Sequence, residues 1–257
     1  MDKQWLEKAI TKPLEVTLYS QVSSTNTLLR EEAENGASEG CVVLAESQTA
    51  GRGRRGHTFW SPDGTGVYLS VLLRPALSAE EIVPLLTPAA AVAASRAVEA
   101  VSGRTADIKW VNDIYCDNKK VCGILTEGRH DAQTKKLAYA VVGVGFNVLP
   151  PSNGFPEEIA DRAGAVLTEP TALAREKLTA AFLNEFWELY SQLPAVGFHG
   201  EYRERCLRLG SRVIVPAQDG ERRATVTDIT ETFELRVQFE DGELRDLNAG
   251  DVSVILA

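Results

Sequence analysis

Short apolar runs alternate with amphipathic stretches along most of the chain, a pattern typical of a β-sheet covered by helices. The runs that are rich in β-branched and large apolar residues predict strands of one main sheet. They lie at residues 15–22, 41–45, 67–73, 120–127 and 137–149. Two shorter strand-like pieces within residues 107–117 flank the turn pair Asn112-Asp113, and a second turn at Asn118-Lys119 makes this part a β-meander.

Helices are predicted between and after these strands, at residues 27–33, 171–193 and 201–209. A further helical stretch starts with Ser78 and Glu81, which have the spacing of a capping box, and it ends at Gly103. Pro84 and Pro88 predict an interruption, with a restart that has Pro88 at the first helical position.

Beyond Gly210 the pattern changes to short alternating strands, at residues 212–216, 222–229, 235–239 and 252–256. Asp219-Gly220 and Asp241-Gly242 stand at hairpin positions between them. We therefore predict an α+β protein with a mixed-sheet domain at residues 1–209 and a small β-barrel at residues 210–257.

The strand at residues 137–149 has one bulky and one nearly bare face. Period-2 geometry places Gly143, Gly145 and Asn147 on one side and large apolar residues on the other. Glycine in a strand interior often marks the close approach of a ligand or of another part of the chain. A flat ligand on the bare face and a closely packed helix explain the pattern equally well.

A glycine-rich segment, residues 47–66, connects two of the predicted buried strands. It contains five glycines and, within G-R-G-R-R-G, the three arginines Arg52, Arg54 and Arg55. Arginine offers a fork of donors that suits phosphate and carboxylate, and glycine lets a ligand approach the main chain. The segment is either a flap that closes over an anion or a solvated basic loop.

Polar residues also stand where the predicted elements begin or end. The hydroxyls of Ser24 and Thr25 precede a helix, where capping is the favoured role and ligand binding the alternative. Lys109 lies in an apolar strand and needs either an anionic partner or a route to solvent. Phe59 and Trp60 follow the arginine loop and suit either a pocket seal or ordinary core packing.

Composition narrows the function classes. The chain has 257 residues and a formal net charge of −9, which argues against general nucleic-acid or membrane binding. No signal peptide is recognisable at the start of the chain, and no apolar run reaches membrane-spanning length. The four cysteines lack metal-site spacing, so we expect reduced, buried thiols in a cytoplasmic protein.

Four features in this order resemble the biotin protein ligases. They are Ser24-Thr25-Asn26 before a helix, Gln48 with G-R-G-R-R-G, K-W-V-N-D followed by K-K-V-C-G-I-L, and G-V-G-F-N. The resemblance runs from about residue 20 to the end of the chain. It implies a fold like that of class II synthetases, also described as SH2-like, with an SH3-like C-terminal barrel.

The resemblance also implies roles for individual residues. Such enzymes join biotin and ATP into biotinyl-5′-AMP and then transfer biotin to one lysine of a carrier protein. Arg52 and Lys120 match catalytic positions. Matches to biotin-contacting positions are Ser24, Thr25, Asn26, Gln48, Arg52, Gly53, Arg54, Lys120 and Gly123. Matches around the nucleotide are Arg54, Arg55, Trp60, Asn112, Gly143, Gly145 and Asn147.

The expected cofactors and partners follow from the same resemblance. ATP use implies Mg²⁺, for which Asp113 is a candidate contact or else a turn former. The expected partner is a biotin carboxyl carrier protein, and a homodimer is an open option. Because the family motifs begin about twenty residues after Met1, we expect the ligase-only form, without specific DNA binding. Lipoate ligases and a non-catalytic biotin sensor remain alternatives. The double-arginine loop argues against a lipoate ligase, and the presence of the lysine and the arginines argues against a non-catalytic sensor.

Overall fold

The computed structural model describes residues 1–131, 136–206, 209–217, 220–248 and 255–256. A seven-stranded mixed sheet has the strand order β1-β2-β3-β7-β6-β5-β4. Its strands are β1 (Glu15–Val22), β2 (Cys41–Gln48), β3 (Gly66–Leu73), β4 (Asp107–Lys109), β5 (Asp113–Cys116), β6 (Lys119–His130) and β7 (Leu137–Asn147). β1 pairs with β2 in parallel, and the other neighbours are antiparallel. All the strands predicted for this part of the chain are present.

Six helices are present in the described part of the chain: α1 (Lys3–Ala9), α2 (Thr25–Glu34), α3 (Ala79–Ser102), α4 (Glu157–Ala160), α5 (Ala174–Ser191) and α6 (His199–Arg205). α3 and α5 pack together on one face of the sheet, over the larger hydrophobic core. α2 lies against β2, β3 and β7 and contributes Leu29 and Ala33 to a smaller cluster. The short helices α1 and α4 have no counterpart in our sequence-based prediction.

The predicted interruption of α3 is wrong. The capping box of Ser78 and Glu81 is formed and Gly103 ends the helix in the left-handed region, but Pro84 and Pro88 lie inside one continuous helix. A proline inside a helix costs about 3 kcal/mol. The helix persists because its residues on both sides of the prolines are buried against the sheet, and that burial outweighs the two lost hydrogen bonds.

By length and composition α3 also passes as a membrane-spanning helix, the one such helix among the described residues. Within its apolar window, however, 72 % of the residues are buried inside the protein. Core helices of globular proteins have this property, because their apolar surface is already covered by their own chain.

The C-terminal part forms a second, five-stranded sheet with the order β11-β10-β9-β8-β12. Its strands are β8 (Arg212–Ala217), β9 (Gly220–Ile229), β10 (Leu235–Phe239), β11 (Leu244–Leu247) and β12 (Ile255–Leu256). The α+β class with a small C-terminal β-structure is thereby confirmed. Our prediction omitted β11. Asp219 of the predicted hairpin turn and residues 252–254 of the last predicted strand lie outside the described residues, and the domain boundary near residue 210 stays a prediction.

The predicted burial of the cysteines holds for three of the four. Cys116, Cys122 and Cys206 are buried, Cys41 is partly exposed, and all four are free thiols. Burial raises the pKa of the Cys116 thiol to about 11 and that of Cys122 well above its ordinary value. These thiols are therefore protonated and inert near neutral pH.

Candidate active site

A cleft of about 540 Å³ opens on the face of the main sheet that carries α2. Every residue that the sequence singled out for the site lines this cleft. They are Ser24, Thr25, Asn26, Gln48, Arg52, Gly53, Arg54, Arg55, Trp60, Asn112, Asp113, Lys120, Gly123, Gly143, Gly145 and Asn147. The structure thus brings together residues from α2, the arginine loop and strands β2 and β5 to β7, although it does not test the role of each.

The first turn of α2 is capped by Gln48 and not by a hydroxyl. Ser24 stands at the N-cap position, but its side chain makes no capping hydrogen bond. The Oε1 atom of Gln48 instead accepts from the Thr25 backbone N–H at 2.9 Å. Our favoured capping role for Ser24 is therefore wrong; Gln48 of β2 accepts from the Thr25 N–H, which is not the donor that an N-cap hydroxyl at Ser24 would take.

The Ser24 hydroxyl lies at the cleft and takes no part in capping the helix. The residue is only 2 % exposed, and its Oγ atom has no hydrogen-bond partner in the structure. A buried hydroxyl without a partner costs free energy, on the order of 1–3 kcal/mol. A polar ligand atom in the cleft would recover that cost, so this hydroxyl suits a ligand contact.

The bare glycine face of β7 is covered by two side chains. A methyl group at Gly143 would collide with the Asn26 side chain at the start of α2, and one at Gly145 would lie 2.5 Å from the Phe59 ring. At Gly143 the helix-packing interpretation therefore describes the structure. At Gly145 the cover comes from the arginine loop, which leaves ligand binding there a prediction.

Asn26 is also more firmly held than we expected of a ligand contact. Its Oδ1 atom accepts from Ser70 Oγ at 2.6 Å, and its Nδ2 atom donates to the Leu125 carbonyl at 3.2 Å and to Glu127 Oε2 at 3.0 Å. The amide thus fastens α2 to β3 and β6. Our assignment of Asn26 to biotin stays a prediction.

The loop between β2 and β3 folds back on itself above the sheet. Phe59 N–H donates to the Gly51 carbonyl at 2.9 Å, and Gly53 N–H donates to the His57 carbonyl at 2.7 Å. A side chain at Gly51 would meet Ser61 Oγ at 2.6 Å, so this glycine is required by the packing of the loop itself. These contacts hold the loop together above the sheet, and its role as a flap over an anion stays a prediction.

A polar chain crosses the cleft from the loop to β6. Arg54 donates to Asn112 Oδ1 at 3.1 Å, Asn112 Nδ2 donates to Asp113 Oδ1 at 3.1 Å, and the same oxygen lies 2.7 Å from Lys120 Nζ. Burial, and secondly the charge of Arg55, lower the pKa of the Arg54 guanidinium. The site therefore concentrates positive charge in partly desolvated surroundings, which favours an anionic ligand.

The two neighbouring lysines differ clearly. Lys120 lines the cleft, and its Nζ lies 3.2 Å from where a side chain at Gly123 would begin. Lys119 is absent from the cleft lining and donates to the backbone carbonyl of Asp161. Lys120 stands three residues before Gly123, a spacing that strict alternation would place on opposite faces. The irregular pairing of β6 with β5, which passes over Val121, brings Lys120 to the cleft side.

The aromatic and basic residues at the cleft mouth have mixed surroundings. Lys109 lines the cleft with its ammonium 5.9 Å from the centre of the Tyr115 ring. Trp60 is 36 % exposed and packs edge-on against Phe155. Of the two predicted sealing residues, Phe59 covers the sheet and Trp60 lies at the rim of the cleft.

Sequence reasoning missed several residues that hold the site together, chiefly Ser61, Ser70 and Glu127. The signal for Ser70 is that a hydroxyl stands in a fully buried strand, where it needs a partner. Glu127 follows Gly123 at an even spacing along β6, so period 2 places it on the cleft side. Neither signal names the partner, because the partners come from distant segments.

No group of three or more histidine, cysteine, aspartate or glutamate side chains in the described ranges is arranged to hold a metal ion. Asp113 is the one candidate ligand that we predicted, and Lys120 and Asn112 already contact it. Mg²⁺ commonly binds through one or two carboxylates together with substrate phosphates. The residues therefore fit a Mg²⁺ ion that arrives with a nucleotide and not a preformed metal cage.

Comparison with known proteins decides the family. The profile of the biotin/lipoate A/B protein ligase family matches residues 18–147, which span the whole set of predicted site residues. The chain belongs to this family. The biotin protein ligase C terminal domain matches residues 209–254.

Individual relatives in this family carry specific names. The bifunctional ligase/repressor BirA of Bacillus spizizenii is 42 % identical over 142 residues, which are 55 % of this chain and 43 % of that protein. A biotin–[acetyl-CoA-carboxylase] ligase of Mycobacterium tuberculosis is 31 % identical over 80 % of this chain and 76 % of its own length. The chain thus spans about half the length of the Bacillus relatives that it matches.

A solved structure agrees along nearly the whole chain. The biotin protein ligase from Aquifex aeolicus, in complex with biotin and ATP, superposes with a TM-score of 0.77 at 27 % identity. The match covers 95 % of this chain and 99 % of that one. The main sheet and the C-terminal sheet therefore both have counterparts in one known ligase.

Proposed function

We propose that this protein is a biotin protein ligase, which forms biotinyl-5′-AMP from biotin and ATP and transfers biotin to a lysine of a carrier protein. The observation that carries the proposal is the meeting of Arg52, Arg54, Arg55 and Lys120 in one cleft of a chain whose net charge is −9. Membership of the family and the names of the relatives support the same activity.

The cations suit the first step, in which a carboxylate attacks the α-phosphate of ATP. Both reactants are anions, so their approach and the charge of the transition state require nearby positive groups. Arg52 and Arg54 reach the cleft from the loop and Lys120 from the sheet, so they can surround the reacting groups from two sides. A Mg²⁺ ion bound to ATP would add charge neutralisation there, with Asp113 as the nearest candidate carboxylate.

The loop and α2 suit the protection of the product. An acyl-adenylate is hydrolysed unless water is excluded, and the loop folds over the sheet with Phe59 against Gly145. The unpartnered Ser24 hydroxyl and the Gln48 side chain offer polar contacts for the uncharged part of biotin. These residue roles follow the resemblance, and the geometry is compatible with each of them.

The partner and the location follow from the activity. Relatives are named biotin–[acetyl-CoA-carboxylase] ligases, so the expected acceptor is the carrier domain of such a carboxylase. Carboxylase, ATP and biotin meet in the cytoplasm, where free thiols such as the four cysteines of this chain persist. Specific DNA binding is not expected of this acidic chain.

Mass spectrometry of a carrier domain tests the proposal. The protein is incubated with ATP, Mg²⁺, the carrier domain and either biotin or lipoate. We expect the mass increase of one biotinyl group on one lysine, and no change when ATP is omitted. Modification by lipoate alone would identify the other branch of the family, and modification by neither acid would refute ligase activity.

A further inference from the structure

Glu127 lies beside the cleft, in contact with the lining residues Asn26 and Arg52, and has no role in the chemistry described above. It stands on β6 four residues after Gly123, on the side of the sheet that faces α2 and the loop. Its side chain is 18 % exposed, so its charge is partly withdrawn from water. A carboxylate in this position requires partners, and its partners come from elements far away in the chain.

Three donors converge on the two oxygens of Glu127. Arg52 Nη1 of the loop lies 3.0 Å from Oε2, and Asn26 Nδ2 donates to the same oxygen at 3.0 Å. Arg30 Nη1, from the next turn of α2, lies 3.2 Å from Oε1. The carboxylate therefore ties the arginine loop to α2 and to the sheet through one side chain.

The cluster is better organised than an ordinary surface ion pair. Arg52 is 42 % exposed, and an isolated exposed ion pair contributes little to stability because two mobile side chains must be ordered. Here the carboxylate is fixed in advance by Asn26, whose own amide is held by Ser70 and the Leu125 carbonyl. Little further ordering is needed when Arg52 joins.

The geometry points to Glu127 as a positioning residue for Arg52. One guanidinium nitrogen of Arg52 donates to the carboxylate, and Arg52 also lines the cleft, which leaves the other donors of its guanidinium for a ligand. Glu127 thereby sets both the direction of the Arg52 side chain and the arrangement of the loop. It does so through Arg52 and without a contact to the ligand.

The isosteric change Glu127→Gln tests this role with little loss of packing. An amide has one acceptor oxygen in place of two, so its NH₂ group must face at least one of Arg30, Arg52 and Asn26. The matched control is Glu34→Gln, another carboxylate that pairs α2 with an arginine of β6, here Arg129 at 2.9 Å, and does not touch the loop.

Amide hydrogen exchange of residues 49–61 in the ligand-free protein is the first measurement. We expect Glu127→Gln to accelerate exchange of the Gly53 and Phe59 amides, which are hydrogen-bonded within the loop, by about fivefold. Glu34→Gln should leave it unchanged. Arg52→Gln should accelerate exchange equally, and the double variant no further, since both changes break one contact.

The second measurement, dissociation of biotinyl-5′-AMP, rests on the proposed function. The adenylate should dissociate from Glu127→Gln about fivefold faster than from the unaltered protein. The thermal midpoint of Glu127→Gln should change no more than that of Glu34→Gln. Unchanged loop exchange, or additive effects of the two single changes, would overturn the positioning role whatever the ligand. Accelerated exchange in a protein that binds no adenylate would keep the positioning role and reject the proposed function instead.

Discussion

Lys120 and Lys119 form a natural matched pair, because they are adjacent lysines on one strand with opposite orientations. Lys120→Ala removes an ammonium from the cleft, where its Nζ lies 2.7 Å from Asp113 Oδ1. Lys119→Ala removes one that contacts only a backbone carbonyl outside the cleft lining. We expect the first change to slow adenylate formation strongly and the second to have little effect.

The expected magnitude follows from the surroundings of Lys120. A charge-assisted hydrogen bond is worth about 1.5–3 kcal/mol, and each 1.36 kcal/mol of barrier is about tenfold in rate. Loss of the Lys120 contact to the reacting anions should therefore slow adenylate formation by about 10- to 150-fold. The fold should survive, because Asp113 keeps its hydrogen bond from Asn112 and is 18 % exposed.

Biotin-dependent exchange of labelled pyrophosphate into ATP measures this step without a carrier protein. The thermal midpoint of both variants is measured in parallel, so that a rate loss can be separated from unfolding. Equal rate losses in the two variants would show that the orientation of Lys120 toward the cleft gives it no special role in adenylate formation. An unchanged rate in Lys120→Ala would remove this lysine from the chemistry.

Three further outcomes are expected. Gly145→Val should abolish biotin binding by calorimetry, because its first side-chain atom would displace the Phe59 ring from the sheet; retained affinity would show that the ligand does not need this face closed. Arg205 holds the pKa of Glu99 below its ordinary value, so the pair stabilises the fold above about pH 4.3 and this contribution is lost as the pH falls through the lowered pKa of the folded state. Glu99→Gln should therefore lower the thermal midpoint at pH 7 and lower it less near about pH 3, and an equal loss at both would contradict the argument. In a gel shift at low salt, with and without biotin and ATP, DNA should show no sequence-selective shift, whereas a biotin-dependent shift at nanomolar protein would refute the absence of specific DNA binding.

Local patterns in the sequence were enough to predict the strands of the main sheet and the bare face of β7. The alternation in β7 placed Gly143 and Gly145 on one face, and both residues line the cleft. Such predictions succeed because they depend on neighbours within one element. The resemblance then supplied the chemistry, which no spacing alone would have named.

Long-range contacts account for what the sequence did not predict. Pro84 and Pro88 argue locally for a broken helix, but burial against the sheet keeps α3 whole. Ser24 is a plausible cap by sequence, yet its hydroxyl makes no capping hydrogen bond, and Gln48 from another element accepts from the Thr25 N–H. Glu127 finds Arg52 at a sequence separation of 75 residues, a distance at which no local pattern is informative.

The cleft has a consequence for the synthesis of the protein. Its lining residues come from α2, the arginine loop and β6, the last strand of the meander. Its floor is formed by β6 together with β7, and both lie in the middle of the sheet. A growing chain therefore carries its loop arginines long before the strands that face them exist. A ligand of this cleft can bind only after β7 has been made and inserted, so it stabilises finished molecules and not incomplete ones.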